Sequence, residues 1–110
     1  MLVHLLMLAI QTASPAQMAL ADQMNEQFVT CLFGTARQAR AQSVSTEKFA
    51  AELGLSCRSE EMALRAAMLR ALVQRRQSTT AKMKIDQVMN RSRQAVVEAY
   101  ERGSDRNDLR

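Results

Sequence analysis

Two cysteines, Cys31 and Cys57, are the residues of this sequence whose chemistry is easiest to infer. Thiols of cytosolic proteins are kept reduced, whereas two thiols in the periplasm or outside the cell are usually joined as a disulfide. Redox-active pairs usually take the form Cys-x-x-Cys, and these two residues are much farther apart. The spacing therefore favours a structural disulfide between Cys31 and Cys57. Free buried thiols are the first alternative, and redox or metal chemistry is the second.

The residue types that most enzymes need are scarce. His4 is the only histidine, and it lies in a segment that we expect to be removed, so the mature chain would have no imidazole for general base catalysis or metal binding. Glu60 and Glu61 are adjacent at a predicted helix start, where acids ordinarily interact with the helix dipole. We expect no catalytic site, no cofactor and no metal. An enzyme that uses carboxylates alone is an alternative.

Methionine thioethers offer another chemistry, because soft sulfur ligands bind copper(I). Within each of two methionine pairs the residues are six positions apart, which puts them on different sides of a helix. Adaptable packing in the core is therefore favoured over copper binding. The methionines after residue 21 are Met24, Met62, Met68, Met83 and Met89.

A group of cations forms the candidate surface for an anionic partner. Basic clusters attract phosphates, acidic proteins and anionic lipid headgroups, and only Asp86 opposes these cations locally. No aromatic residue lies between Phe49 and Tyr100 to stack on a base, so nucleic acid is not the expected partner. An acidic envelope protein or an anionic membrane surface is expected instead, and a merely solvated helix face is the alternative. The cations are Arg75, Arg76, Lys82, Lys84, Arg91 and Arg93.

The amino-terminal segment has the order of a cleavable export signal. An apolar run from Leu2 to Ile10 is followed by polar residues and Pro15, and then by Ala19-Leu20-Ala21 before Asp22, which matches an A-x-A cleavage site. The run rises only about 14 Å as a helix, too little to span a hydrocarbon core of about 30 Å. The segment lacks Lys and Arg, so an amphipathic first helix that packs into the domain is the alternative.

Two helices are predicted in the first half of the mature chain. The first runs from about Asp22 to Ala41, and Ser45 is expected to cap a short second helix that ends at Gly54 in the left-handed conformation. Apolar residues recur at the helical period along the first helix. Its buried stripe is predicted to contain Met24, Phe28, Cys31, Leu32, Thr35 and Ala39, with Val29 and Phe33 on a second side.

Two more helices are predicted in the second half. Ser59 is expected to cap the third helix, Gly103 to end the fourth, and residues 104–110 to form a frayed, charged tail. The third helix has one apolar face of Met62, Ala66, Leu69 and Val73 and another of Leu64, Met68 and Ala71. The fourth helix has a single face of Ala81, Ile85, Val88, Met89, Ser92, Ala95, Val96 and Ala99.

The positions of Cys31, Cys57 and Tyr100 resemble those of a group of small exported helical proteins from Gram-negative bacteria. Members carry a cysteine on a first helix, a second cysteine about one short helix later, and a helix end similar to Tyr-Glu-Arg. The resemblance covers roughly Phe28 to Arg102. It implies export but no assigned function.

Together these patterns predict an all-α protein, a small bundle of three longer helices and one short helix clipped by the disulfide. Residues 1–21 are the expected signal peptide, 22–103 the helical domain and 104–110 the flexible tail. We expect a periplasmic or secreted binding or structural module whose basic surface contacts an envelope component. The alternative is a cytosolic, nucleic-acid-associated protein that keeps its amino-terminal helix.

Overall fold

Four helices make up the described part of the protein. The computed structural model describes residues 15–74, 78–104 and 106. The helices are α1, Pro15–Ala41; α2, Thr46–Leu53; α3, Arg58–Gln74; and α4, Ser78–Arg102, and the described residues contain no strand. The predicted all-α fold of three longer helices and one short helix is therefore confirmed. Within those ranges, no helix has both the length and the apolar character needed to cross a membrane.

Helix α1 begins earlier than predicted. It starts at Pro15 instead of Asp22, because a proline at the first helical position has its backbone angle already set and lacks only an N–H that would be unpaired there anyway. The last residues of the predicted signal peptide, Pro15 to Ala21, are therefore helical, and residues 1–14 lie outside the described residues. Cleavage after Ala21 stays a prediction.

The start of α2 follows the prediction, but its end does not. Ser45 is the N-cap, and its hydroxyl accepts a hydrogen bond of 3.3 Å from the backbone N–H of Lys48. The left-handed conformation expected at Gly54 is wrong, because this residue is right-handed, with φ −61° and ψ −22°. The chain keeps turning through a 3.0 Å hydrogen bond from Leu55 N–H to the Glu52 carbonyl. The left-handed residue is Cys57 instead, with φ 60°.

Helix α3 also starts earlier than predicted. It begins at Arg58, and the Cys57 carbonyl accepts its first hydrogen bond from Glu61 N–H at 2.9 Å. Ser59 is therefore inside the helix, and the prediction that it is the N-cap is wrong. Glu60 and Glu61 do lie in the first turn, as predicted.

Helices α1 and α4 end in the same kind of cap. Ser43 has φ 54°, and Val44 N–H donates to the Ala39 carbonyl at 3.0 Å. Gly103 has φ 72°, and Ser104 N–H donates to the Ala99 carbonyl at 2.8 Å. Both caps are Schellman motifs, which pair otherwise unpaired carbonyls of the last turn. The predicted end of the fourth helix at Gly103 is confirmed.

The core lies where α1, α3 and α4 meet, with α2 closing one end. Helix α4 contacts all three other helices. Tyr100 stacks on Phe49 with ring centroids 4.2 Å apart, and its hydroxyl donates to the Val44 carbonyl, so α4 is joined to α2 and to the loop before it. The largest fully buried side chains are Phe28, Phe49, Leu32, Leu53, Leu64, Met89 and Val96.

The predicted faces of α1 and α4 are largely confirmed. In α1, Phe28, Leu32, Phe33 and Ala39 are buried. In α4 the predicted face is buried or half-buried except for Ala95, which is exposed. Such agreement is expected for helices whose apolar residues form one dominant stripe.

One of the two predicted faces of α3 is exposed. Leu64 is buried and Met68 and Ala71 are half-buried. The other face, which we call the α3 stripe, contains Met62, Ala66, Leu69 and Val73, and all four residues are exposed. This face is not part of the core, because α1 and α4 both pack on the side that contains Leu64.

Candidate functional site

The two cysteines join α1 to the residue that precedes α3. The Sγ atoms of Cys31 and Cys57 are 2.03 Å apart and their Cα atoms 6.0 Å apart, so the predicted pair is at bonding distance. Thr35 packs beside them, with its hydroxyl donating to the Cys31 carbonyl at 3.1 Å and its oxygen 3.8 Å from the Cys57 sulfur. The bond holds the amino-terminal end of α3 against the middle of α1.

A shallow cavity lies next to the disulfide. Its volume is about 450 Å³, and its walls are formed by Glu26, Gln27, Thr30, Cys31 and Glu60. A carboxylate oxygen of Glu60 lies within 4.8 Å of both sulfurs. Two thiolates and a carboxylate can hold a metal ion, but sulfurs bonded to each other are not thiolate ligands. With its two sulfurs at bonding distance, this corner is suited to a structural role.

The carboxyl-terminal tail reaches the same region. Arg106 donates to the Thr30 hydroxyl at 2.6 Å and pairs with Glu26. Arg40 donates to the Ser104 carbonyl at 3.0 Å. Ser104 and Arg106 are therefore tied to α1, in contrast to the frayed tail that we predicted; the rest of the tail lies outside the described residues.

An ion-pair network joins α3 to α4. Glu61 accepts a hydrogen bond of 2.8 Å from Arg65 and a second one from Arg93. Arg65 also donates to Asp86 at 2.8 Å, and Lys82 donates to the other Asp86 oxygen at 3.1 Å. Hydrogen bonds from Arg65 and Lys82 hold the pKa of the Asp86 carboxyl below its ordinary value. Those from Glu61 and Asp86 raise the pKa of Arg65.

The cations of the predicted basic surface do not all lie on one side of α4, because some of them belong to this network. Lys82 and Arg93 belong to the network, and the Arg93 guanidinium also lies over the Phe28 ring, 5.7 Å from its centroid. Lys84 and Arg91 lie on the opposite side of α4, since each is about half a turn from those two residues around the helix. Both are exposed. Arg75 and Arg76 lie outside the described residues.

Two cations of α3 that the sequence analysis did not select belong with the exposed set. Arg58 and Arg70 are exposed, and neither forms an ion pair with any described residue. They border the α3 stripe, whose residues Met62, Leu69 and Val73 are 68%, 47% and 50% exposed. The positions of these two arginines beside the apolar residues of α3 can be recognised in the sequence.

No protein-family model, no curated protein and no solved structure matches this chain. The resemblance to exported two-cysteine proteins therefore stays a prediction.

Proposed function

We propose that this protein is an exported, disulfide-clipped helical module that binds an anionic component of the cell envelope. The observation that carries the proposal is the distribution of cations. Glu61 and Asp86 neutralise the cations at the seam between α3 and α4, whereas Arg58, Arg70 and Arg91 are exposed and form no ion pair with described residues. These three cations are therefore displayed outward, on a chain whose net charge is +4.

The joined cysteines support the assignment to an oxidising compartment. Disulfides persist in the periplasm and outside the cell and are reduced in the cytosol. The bond closes a loop across a sequence separation of 26, which is long enough for a large entropic stabilisation of a small domain. Such a clip suits a short chain with a single modest core.

The position of the core supports a mature chain that begins near Asp22. Every buried apolar residue in the described ranges lies at or after Phe28. Met18, in the first turns of α1, is 44% exposed. Removal of residues 15–21 would therefore take away none of these buried residues.

The surroundings of the acids support a binding role over catalysis. Catalytic carboxylates need a pKa near the working pH, and strongly perturbed acids mark active sites. Asp86 is perturbed in the opposite direction, because its partners stabilise the charged form. Glu61 is occupied by two arginines. Asp86 is therefore not tuned towards proton transfer at neutral pH.

Fractionation of native cells tests the export part of the proposal. We expect the protein in the periplasmic or secreted fraction, with a mass that begins near Asp22 and no thiols that react before reduction. A cytosolic protein with Met1 retained and both thiols free would overturn this part. Such a result, together with tight duplex DNA binding, would support the cytosolic alternative.

A binding measurement tests the role of the exposed cations. The native protein should be retained on immobilised polyglutamate and released as salt rises, because exposed charges are screened. Replacing Arg58, Arg70 and Arg91 with Gln should lower the salt concentration needed for elution. The matched control is Lys48→Gln, which removes an exposed cation of α2 that lies 4.0 Å from Glu52. Equal elution of the triple variant and the native protein would contradict the proposal.

A further inference from the structure

We propose that the α3 stripe is the docking surface for one acidic amphipathic helix of a protein partner. The inference rests on the proposed function and deepens it, because it names the surface and the kind of partner. The stripe is the side of α3 that faces away from α1 and α4. Exposed apolar residues arranged along a helix mark sites of interaction when they are contiguous and not scattered singly.

The spacing of the stripe is that of a coiled-coil seam. Met62, Ala66, Leu69 and Val73 follow one another at intervals of four, three and four residues, which are the d and a positions of a heptad. Leu69 and Val73 are each about half exposed and Met62 more so, although all lie in a well-formed helix. A second helix laid along this seam would cover all four residues.

The residues that border the seam specify the charge of the partner. In the same heptad the e and g positions are occupied by Arg58, Ala63, Arg65, Arg70 and Leu72. Three of these five are arginines and none is acidic. Because residues at e and g pair with the opposing helix, a border whose charged residues are all arginines selects a helix with Glu or Asp at its own flanks. Arg58 and Arg70 are the arginines available for such pairs, since Arg65 already contacts Glu61 and Asp86.

The same border disfavours a second copy of this chain as the occupant. Two copies docked through the stripe would place arginines against arginines, and like charges across an interface oppose association. Glu61, which precedes Met62, and Asp86, which pairs with Arg65, are engaged within each copy. These two carboxylates are therefore not available to pair with the arginines of a second copy.

The width of the seam favours a protein helix over a membrane surface. A helix that lies in the bilayer interface needs a broad apolar face, usually with bulky Trp, Phe or Leu side chains. The α3 stripe covers only about 60° around the helix at 100° per residue. Its members are Met, Ala, Leu and Val, with no aromatic residue. A narrow seam with a small residue near its centre allows another helix backbone to approach closely.

The test uses the oxidised native protein and a labelled synthetic helix. The probe is a peptide of about three heptads with Leu at a and d and Glu at e and g. A matched peptide carries Lys at e and g. By fluorescence anisotropy we expect the Glu-flanked peptide to bind at least about tenfold more tightly than the Lys-flanked one.

Variants on the stripe locate the binding. Leu69→Gln and Val73→Gln should each weaken binding of the Glu-flanked peptide by about tenfold, because exposed apolar anchors are removed. Arg70→Glu should weaken that peptide and strengthen the Lys-flanked one. Met83→Gln is the matched control: it removes a 58% exposed apolar residue of α4 and should leave binding unchanged. All four positions are exposed, so the melting temperature checks that each variant is folded.

Several outcomes would overturn the inference. Equal binding of the two peptides, or no effect of Leu69→Gln and Val73→Gln, would remove the stripe as the site. Binding to phosphatidylglycerol vesicles that is lost in Leu69→Gln would assign the stripe to a membrane, and sedimentation as a dimer that Leu69→Gln dissociates would assign it to a second copy. Recovery of the native protein from the cytosol would overturn the proposed export without changing the peptide measurements, so the two failures are distinguishable.

Discussion

Removal of the disulfide should cost this protein a large share of its stability. Cys31 and Cys57 close a loop across a sequence separation of 26. In the chain-entropy model, a loop of this length restricts the unfolded chain enough to contribute about 3.5 kcal/mol to the free energy of unfolding. A small domain is stable by only about 5–15 kcal/mol. The double variant Cys31→Ser, Cys57→Ser is therefore expected to lose roughly a quarter to two-thirds of its stability.

The backbone at Cys57 allows a finer test of the same calculation. Its φ of 60° is left-handed, a conformation that costs a residue with a Cβ atom about 1–2 kcal/mol and glycine almost nothing. Serine at this position keeps that cost, whereas glycine removes it. The variant Cys31→Ser, Cys57→Gly should therefore be more stable than the double serine variant by about 1 kcal/mol.

Urea unfolding followed by circular dichroism measures both differences. The oxidised native protein, the fully reduced native protein and the two double variants are compared through their midpoints and slopes. Reduced native protein and the double serine variant should agree, which checks that the serines introduce no new defect. A loss below about 1 kcal/mol in both would refute the reasoning that the disulfide is a main stabiliser. If the glycine variant were less stable than the serine variant, the strain argument at Cys57 would be wrong.

Three further substitutions test the local structure. Ser43→Gly should stabilise the protein by about 1 kcal/mol, because Ser43 holds the left-handed cap of α1 with φ 54°, and an unchanged urea midpoint would contradict this. Tyr100→Phe should cost about 1–2 kcal/mol in the same assay, since it leaves the Val44 carbonyl without its donor and keeps the aromatic stack. The depressed pKa of Asp86 means that its contribution to stability is present above its ordinary pKa of about 4 and is lost as pH falls through the lower folded value. Asp86→Asn should therefore flatten the decline of stability in acid, and an identical decline in variant and native protein would exclude a role for this carboxyl.

Helix α4 and the start of α2 could be predicted from the sequence because interactions between residues close in sequence determine them. The apolar residues of α4 keep one stripe over its whole length, so a single face can be buried. Ser45 precedes α2 with a hydroxyl that pairs a backbone donor of the first turn. The cysteine pair could be proposed for a similar reason, since compartment and spacing together restrict what two thiols do.

The carboxyl-terminal end of α2 and the start of α3 could not be predicted in the same way. Gly54 is the residue best suited to a left-handed cap, yet the chain places that conformation at Cys57. The disulfide fixes Cys57 beside α1, and the turn from α2 to α3 must meet that constraint. The link between Cys31 and Cys57 thus outweighs the local preference for a left-handed Gly54. Residues close in sequence do not indicate such an effect.

The exposed face of α3 shows that hydrophobic periodicity alone does not determine which apolar face of a helix is buried. Apolar residues recur at the helical period both along the stripe with Leu69 and along the opposite side with Leu64. Spacing alone therefore does not decide which side is buried. The charges at their borders are unequal, however. Burying the Leu69 side within the domain would take Arg58 and Arg70 out of water, and neither forms an ion pair with a described residue, so their burial would be costly. At the seam between α3 and α4 that cost is avoided, because Glu61 pairs with Arg65 and Arg93, and Asp86 also pairs with Arg65. The stripe is therefore left outside this domain's own core. A partner helix that carries its own acids would cover the stripe and pair with the arginines beside it.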